Sequence, residues 1–205
     1  MEYILIFISA IFVNNIVLSQ FLGICPFLGV SKKVETAKGM GLAVTFVLVI
    51  ATIVTYLLQV WVLNPFNLQY LQTIVFILVI AALVQMVEIV LKKLSPALYQ
   101  ALGVFLPLIT TNCCILGVAI LVANGTYNSQ GLEANLLTGV IFALATALGF
   151  ALSLIVFAGL REQLSLVRVP KGVEGMSIAL VTAGLLALAF MGFSGIDKGI
   201  ALFFS

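Results

Sequence analysis

Histidine is absent from the 205-residue chain, and charged side chains make up only 8% of it. Without an imidazole the chain cannot form a His-ligated haem site, a Ser-His-Asp triad or a His-based metal site. Soluble domains typically have about a quarter of their residues charged and about half apolar, whereas 63% of this chain is hydrophobic. The composition therefore argues against a soluble enzyme and indicates an integral membrane protein.

Cysteine is also scarce, with only Cys25, Cys113 and Cys114 in the chain. An odd number of cysteines without paired spacing argues against a disulfide framework. The amino-terminal stretch MEYILIFISAIF carries an acidic rather than a basic start and has no small-residue cleavage pattern. We therefore expect a first transmembrane segment there, not a removable signal peptide.

Long apolar stretches predict an all-α membrane protein with six transmembrane helices, because one crossing needs roughly 20 apolar residues. The predicted segments are residues 3–30, 39–63, 70–91, 97–123, 134–160 and 176–193. No charged residue lies between Lys38 and Glu88, which makes the second segment and most of the third especially clear. Residues 1–205 are expected to form a single transmembrane domain.

The basic residues divide the connecting loops into two sets. Only Lys198 lies outside the first, third and fifth connections, which hold Lys32, Lys33, Lys38, Lys92, Lys93, Arg161, Arg168 and Lys171. Loops rich in Lys and Arg face the cytoplasm. This distribution predicts that both termini lie on the opposite side of the membrane.

A short pattern occurs twice, as CPFLGV at residues 25–30 and as CCILGV at residues 113–118. One copy lies late in the first predicted segment and the other within the fourth, so the two copies cross the membrane in opposite directions. Such a relation is typical of inverted repeats, here approximately residues 1–93 and 97–195. The alignment pairs Cys25 with Cys113, and it places Cys114 opposite Pro26, where we expect a small buried residue.

Polar residues precede both copies of the pattern. The first segment carries Asn14, Asn15, Ser19, Gln20, Gly23 and Pro26, and the fourth carries Pro107, Thr110, Thr111 and Asn112. Proline removes a backbone donor, and Ser, Thr and Asn side chains can satisfy the groups that a break leaves free. Helices 1 and 4 are therefore expected to be broken, and their two breaks are expected to meet.

The matched cysteines, Cys25 and Cys113, indicate a metal site, because thiolates suit copper(I), zinc and iron–sulfur clusters. Zinc sites and iron–sulfur clusters usually need four ligands, and this chain supplies two in register. A second chain should supply the others. Apolar surroundings without histidine favour a redox cluster over a hydrolytic zinc.

Three stretches resemble the A-type subunits of the Rnf ion-translocating ferredoxin:NAD oxidoreductase complexes. They are VNNIVLSQFLGICPFLGVSKKVETAKGMGLA, LGVFLPLITTNCCILGVAIL and TAGLLALAFMGFSG. The resemblance implies that Cys25 and Cys113 hold half of a [2Fe–2S] cluster shared with a paralogous E-type subunit. Cys114 departs from the small residue, such as alanine, that is common there. The covalent-flavin motif of related subunits, Ser or Thr followed by Gly-Ala-Thr, is absent from this sequence.

The same resemblance implies a multi-pass protein of the bacterial inner membrane, with both termini periplasmic. Its partners would be the E-type subunit together with subunits of B, C, D and G type. The complex would transfer electrons between ferredoxin and NAD and couple this to Na⁺ or H⁺ movement. This chain would have no catalytic residue of its own and would act enzymatically only as a subunit.

Two other interpretations stay open from the residues. A cofactor-free secondary transporter has the same inverted-repeat architecture, and Asn14, Asn15, Thr110, Thr111 and Asn112 could bind its solute or ion. A structural scaffold would leave the matched cysteines unexplained. Among isolated charges, Glu88 is interpreted as an ion-pair partner of Lys92 or Lys93, with a place on an ion path as the alternative. Arg161 with Glu162 is interpreted as the solvated end of the fifth segment.

Overall fold

The computed structural model describes residues 2–94, 106–125, 135–167, 175–193, 195 and 199. All regular elements in these ranges are helical. The α-helices are α1 Glu2–Ile8, α2 Ile24–Val30, α3 Val34–Leu58, α4 Asn64–Phe66, α5 Gln72–Leu94, α6 Leu106–Thr110, α7 Cys113–Ala123, α8 Leu136–Leu166 and α9 Met176–Met191. A π-helical turn Ser9–Val13 follows α1, a second one, Gln59–Leu63, follows α3, and a 3₁₀ turn, Gln69–Leu71, precedes α5.

Several of these helices have the length and composition of membrane spans. Val34–Phe66, Gln69–Val90 and Leu136–Leu166 are each long and apolar enough to cross a bilayer, and Pro107–Ala123 and Met176–Met191 are shorter apolar helices. The described residues thus confirm an all-helical integral membrane protein. The starts predicted at residues 97 and 134 lie outside the described residues. The six-segment count and the inverted repeat stay predictions.

Two helices extend beyond the segments expected from hydrophobicity. Helix α3 begins at Val34, where the extended backbone of Lys33 precedes it and Glu35 lies in its first turn. An acidic residue is favourable near a helix amino terminus because of the helix dipole. Helix α8 continues through Arg161 to Leu166. An apolar stretch identifies only the part of a helix that lies in the hydrocarbon layer. Hydrophobicity alone therefore does not predict the polar turns at the helix ends.

The centre of the fold is the close pair formed by α3 and α8. A methyl group built on Gly41 would lie 2.9 Å from Cβ of Ala151, so the two backbones approach closely. Gly139, Ala143 and Ala147 of α8 are also buried. Small residues let membrane helices pack by van der Waals contact. These small residues of α8 therefore serve packing within the chain.

Both broken helices lie against this central pair. Helix α1 and its π-helical turn pack on α8, while α7 packs on α3. The short α2 contacts both α3 and α6. The two interruptions are thereby brought to the same region of the molecule, which is where the candidate site lies.

A candidate metal centre at two helix breaks

The first break covers residues 14–23, between the π-helical turn and α2. Asn15, which is fully buried, organises it. Its Nδ2 donates to the carbonyl of Ile11 at 2.9 Å and to the carbonyl of Gly149 at 3.0 Å. Its Oδ1 accepts from the backbone N–H groups of Val17 at 3.1 Å and Leu18 at 3.3 Å. One side chain therefore satisfies freed backbone donors and ties the break to α8.

Gly23 ends this break and starts α2 in the left-handed conformation, with φ 81° and ψ 25°. This region is open to glycine and unfavourable for residues with a Cβ atom. A Cβ atom at Gly23 would also lie 3.0 Å from Cε2 of Phe150, 3.1 Å from Cβ of Cys114 and 3.2 Å from Oδ1 of Asn112. Both the backbone angle and the close contact with the second break require glycine here.

The second break is shorter and lies at Thr111 and Asn112, between α6 and α7. Asn112 is the N-cap of α7, and its Oδ1 accepts from the backbone N–H of Cys114 at 3.0 Å. Thr111 donates its hydroxyl to the carbonyl of Pro107 at 3.0 Å. Of the polar residues predicted to bond to the broken backbone, Asn15 does so at the first break, and Thr111 and Asn112 do so at the second. Nδ2 of Asn112 is buried and has no acceptor among the described residues.

The three cysteines differ in exposure, and Cys114 is the buried one, as the repeat alignment predicts. Cys25, in the first turn of α2, and Cys113, the first residue of α7, are both exposed. Cys114 is fully buried, which confirms that it is a small packing residue. The backbone N–H of Gly23 donates to Sγ of Cys113 at 2.9 Å. Because Cα atoms two residues apart are at most about 7 Å apart, this bond also brings Cys25 close to the second break.

The two repeated patterns contact each other's broken helix in a reciprocal way. A methyl group on Gly117 of the second pattern would lie 2.8 Å from Cδ1 of Leu22, which precedes α2. A methyl group on Gly29 of the first pattern would lie 3.5 Å from Cδ1 of Leu108, in α6. In each case the glycine of one pattern receives a leucine from the other broken helix.

The donor set fits half of a thiolate-ligated metal site. Cys25 and Cys113 are soft ligands, and both are exposed at the surface of this chain. Within the described residues no group of three or more His, Cys, Asp or Glu side chains is placed to hold a metal. Four-thiolate coordination thus requires two further ligands from another chain.

One functional candidate escaped sequence reasoning. Arg161 is half-buried, and its Nη1 donates to the carbonyl of Leu28 and to Oγ of Ser31, each at 2.8 Å. Its interpretation as part of a solvated helix end is wrong, because α8 continues past it and its guanidinium group is bonded to the end of α2. Its acceptors lie in a different segment of the chain, and no local pattern identifies such a contact.

A helical membrane protein with two facing helix breaks, each carrying a surface thiol, is the class that this geometry defines. Residues 3–197 match the family described as Rnf-Nqr subunit, membrane protein. The chain belongs to this family.

The relatives of this chain cover nearly its whole length. It is 60% identical over 199 residues to the A-type subunit of the Na⁺-translocating ferredoxin:NAD⁺ oxidoreductase complex of Acetobacterium woodii, with 97% of this chain and 100% of that protein covered. It is 58% identical over 196 residues to the A-type subunit of the ion-translocating oxidoreductase complex of Syntrophotalea carbinolica, covering 96% and 98%. The corresponding protein of Escherichia fergusonii is 53% identical over 197 residues, again with 96% and 98% covered.

Proposed function

We propose that this chain is the A-type subunit of a redox-driven, ion-translocating oxidoreductase complex and holds half of a [2Fe–2S] cluster through Cys25 and Cys113. The observation that carries the proposal is the meeting of two helix breaks that each present an exposed thiol. The names of the relatives, all A-type subunits of such complexes, support the same role. When bound, the cluster would supply one-electron transfer within the membrane interior.

The remaining two ligands are expected from a paralogous subunit of E type with a similar inverted pair. The exposure of Cys25 and Cys113 supports this arrangement, because a partner can reach both thiols. Cys114 has no such access, since it is fully buried. A [2Fe–2S] cluster generally takes four cysteine thiolates, so two chains with two accessible cysteines each would complete it.

Two backbone features lie next to the sulfur of Cys113. The N–H group of Gly23 donates to Sγ of Cys113 at 2.9 Å. Hydrogen bonds to ligating sulfurs are among the factors that set the reduction potential of iron–sulfur clusters. Cys113 also begins α7, and the amino end of a helix favours negative charge. In a loaded site, the bond from Gly23 would act directly on a ligating sulfur.

The polar residues of the breaks are occupied by the backbone, which argues against the transporter alternative. Asn15 uses both of its amide atoms on backbone groups, and Thr111 and Asn112 also bond to the backbone. Three of the five side chains considered for solute binding are thus engaged in holding the fold. The thiols of Cys25 and Cys113, by contrast, are exposed, although Sγ of Cys113 also accepts a hydrogen bond from Gly23.

The contacts of Gly29 with Leu108 and of Gly117 with Leu22 support an approximate inverted-repeat arrangement, because the glycine of each pattern lies against the other broken helix. The two glycines are equivalent in the alignment that pairs Cys25 with Cys113, whereas the two leucines are two positions out of that register, so the relation is approximate. Together with the distribution of basic residues, this favours six spans with both termini periplasmic in a bacterial inner membrane. Further partners of B, C, D and G type and coupling to Na⁺ or H⁺ complete the proposal.

The test is to co-express the chain with its E-type sister, purify the pair anaerobically, and measure iron, sulfide and the reduced-state EPR spectrum. We expect a two-iron signal that is lost in Cys25→Ser and Cys113→Ser and kept in Cys114→Ser. The third variant is the matched control, because it removes a neighbouring thiol that is buried. An intact, folded wild-type pair without iron would overturn the proposal.

A further inference from the structure

The half-helix α2, which carries Cys25, is too short to hold its own position. It has only seven residues, whereas isolated helices shorter than about 12–15 residues are marginal even in favourable sequences. Its amino end is fixed at Gly23, which contacts the second break. Its carboxyl end must be held by something else, because the last carbonyl groups of a helix lack partners within it.

Arg161 attaches this end to α8, while the hydroxyl of Thr36 in α3 donates to the carbonyl of Val30 at 3.1 Å. Nη1 of Arg161 donates to the carbonyl of Leu28, within the last turn of α2, and to Oγ of Ser31, the residue that follows α2, both at 2.8 Å. A cation at this end of a helix also interacts favourably with the helix dipole. Both acceptors are uncharged, so these two bonds orient the guanidinium group and α2 without neutralising the charge.

An aromatic stack reinforces the same attachment. Phe27 of α2 lies on Phe157 of α8, with ring centroids 4.3 Å apart and an interplanar angle of 13°. The guanidinium carbon of Arg161, one helical turn further along α8, lies 5.8 Å from the centroid of Phe157. This distance is within the range of a cation–π interaction. The side of α2 that carries Phe27 is thus held by one face of α8.

We infer that Arg161 is a positioning residue for Cys25, which it holds in place by fixing the carboxyl end of α2 to α8. Leu28 follows Cys25 by one turn of the same short helix, so a displacement at Leu28 also displaces Cys25. The inference rests on the proposed function only in giving Cys25 the role of a ligand. Arg161 bonds to Leu28 and Ser31 rather than to a cysteine, and it acts on Cys25 through the helix.

The experiment measures the alkylation rate of each cysteine by mass spectrometry in the full chain, in native membranes and without its partner. The variants are Arg161→Gln, Arg161→Lys and Ser31→Ala. We expect Arg161→Gln to raise the rate at Cys25 severalfold and to leave Cys113 unchanged. Arg161→Lys should rescue part of the effect, because its ammonium group can still donate to one acceptor. Ser31→Ala, which removes a single bond, should give a smaller increase.

Two outcomes would overturn the inference: an unchanged rate at Cys25 in both Arg161→Gln and Ser31→Ala, or equal increases at Cys25 and Cys113. The second outcome would indicate general loosening of the fold. If the Arg161→Gln protein does not accumulate in the membrane, the alkylation rates of Arg161→Lys and Ser31→Ala at Cys25 and Cys113 are compared in the same way. The alkylation experiment does not require iron. Its result therefore tests the role of Arg161 even if the wild-type pair proves to lack a cluster. In a loaded pair, Arg161→Lys should also shift the midpoint potential and change the EPR line shape.

Discussion

The N–H group of Gly23 donates a hydrogen bond to Sγ of Cys113 across 2.9 Å, between residues that are 90 positions apart in the chain. This bond joins the break that precedes α2 to the break that precedes α7. It involves a backbone donor of the residue that caps α2, a position whose N–H group has no acceptor within the helix. This chain alone therefore fixes the relative position of the two halves of the candidate site, before any partner binds.

Gly23→Ala is expected to destabilise the chain. The left-handed backbone costs roughly 1–2 kcal/mol for a residue with a Cβ atom, and that atom would also lie 3.0–3.2 Å from Phe150, Cys114 and Asn112. Thermal unfolding in detergent is the measurement. Gly159→Ala is the matched control, because a methyl group at Gly159 meets nothing within 4 Å. That change should be neutral or stabilise by up to about 1 kcal/mol, and equal losses in both variants would contradict the prediction.

Asn112→Ser should preserve α7, whereas Asn112→Ala should weaken it. Serine keeps an oxygen that can accept from the N–H of Cys114, which Asn112 now does at 3.0 Å. Loss of an N-cap side chain costs about 0.5–2 kcal/mol. Serine also removes Nδ2, a buried donor without an acceptor in the described part of the chain. In thermal unfolding of the isolated chain, a serine variant as unstable as the alanine variant would show that the cap does not act through its oxygen.

Asn15→Ala should be far more harmful than Asn14→Ala. Asn15 is fully buried and bonds to four backbone groups. Its removal leaves the N–H groups of Val17 and Leu18 without that acceptor, at about 1–3 kcal/mol for each buried unsatisfied group. Asn14 is exposed and bonds to the hydroxyl of Ser9, so its loss should stay within roughly 0.5 kcal/mol. Comparable membrane levels and melting temperatures for the two variants would contradict this assignment.

The membrane orientation can be tested with reporter fusions. We expect alkaline phosphatase fused after residue 205 to be active and green fluorescent protein at the same position to be dark, because the last segment should end in the periplasm. Fusions after Lys93 should give the reverse result, since the third connection carries basic residues and such loops face the cytoplasm. An active phosphatase fused after Lys93 would place the third connection in the periplasm and would contradict the predicted orientation of the chain.

The candidate cysteines could be predicted from sequence, but the contacts that hold them could not. The repeat alignment paired Cys113 with Cys25, and the structure places both of these residues at the surface and Cys114 in the interior. The backbone task of Asn112 followed from local chemistry, since an N-cap acts within its own turn. By contrast, the bonds from Asn15 to Gly149 and from Arg161 to Leu28 span 134 and 133 positions. Such pairings depend on tertiary packing, which no periodicity in a uniformly apolar chain reveals.

Helix boundaries, too, could be predicted only in part from the sequence. The interruptions were visible as polar residues within apolar stretches, and the helix extensions at Val34 and Leu166 were not. Outside the hydrocarbon, a helix turn and a polar loop have similar composition. The sequence therefore indicates where the membrane meets the chain more clearly than where each helix begins or ends.

The internal hydrogen bonding of the two breaks has a consequence for biogenesis. Asn15, Thr111 and Asn112 supply partners for exposed backbone groups from within the chain, so the kinked segments need no metal to become compatible with lipid. If the proposed cluster is present, insertion and folding can precede iron delivery, and a stable apo-subunit is expected to persist until the proposed partner binds. Under the proposed function, assembly of the cluster would then be a separate and later step at the surface where the two folded subunits meet.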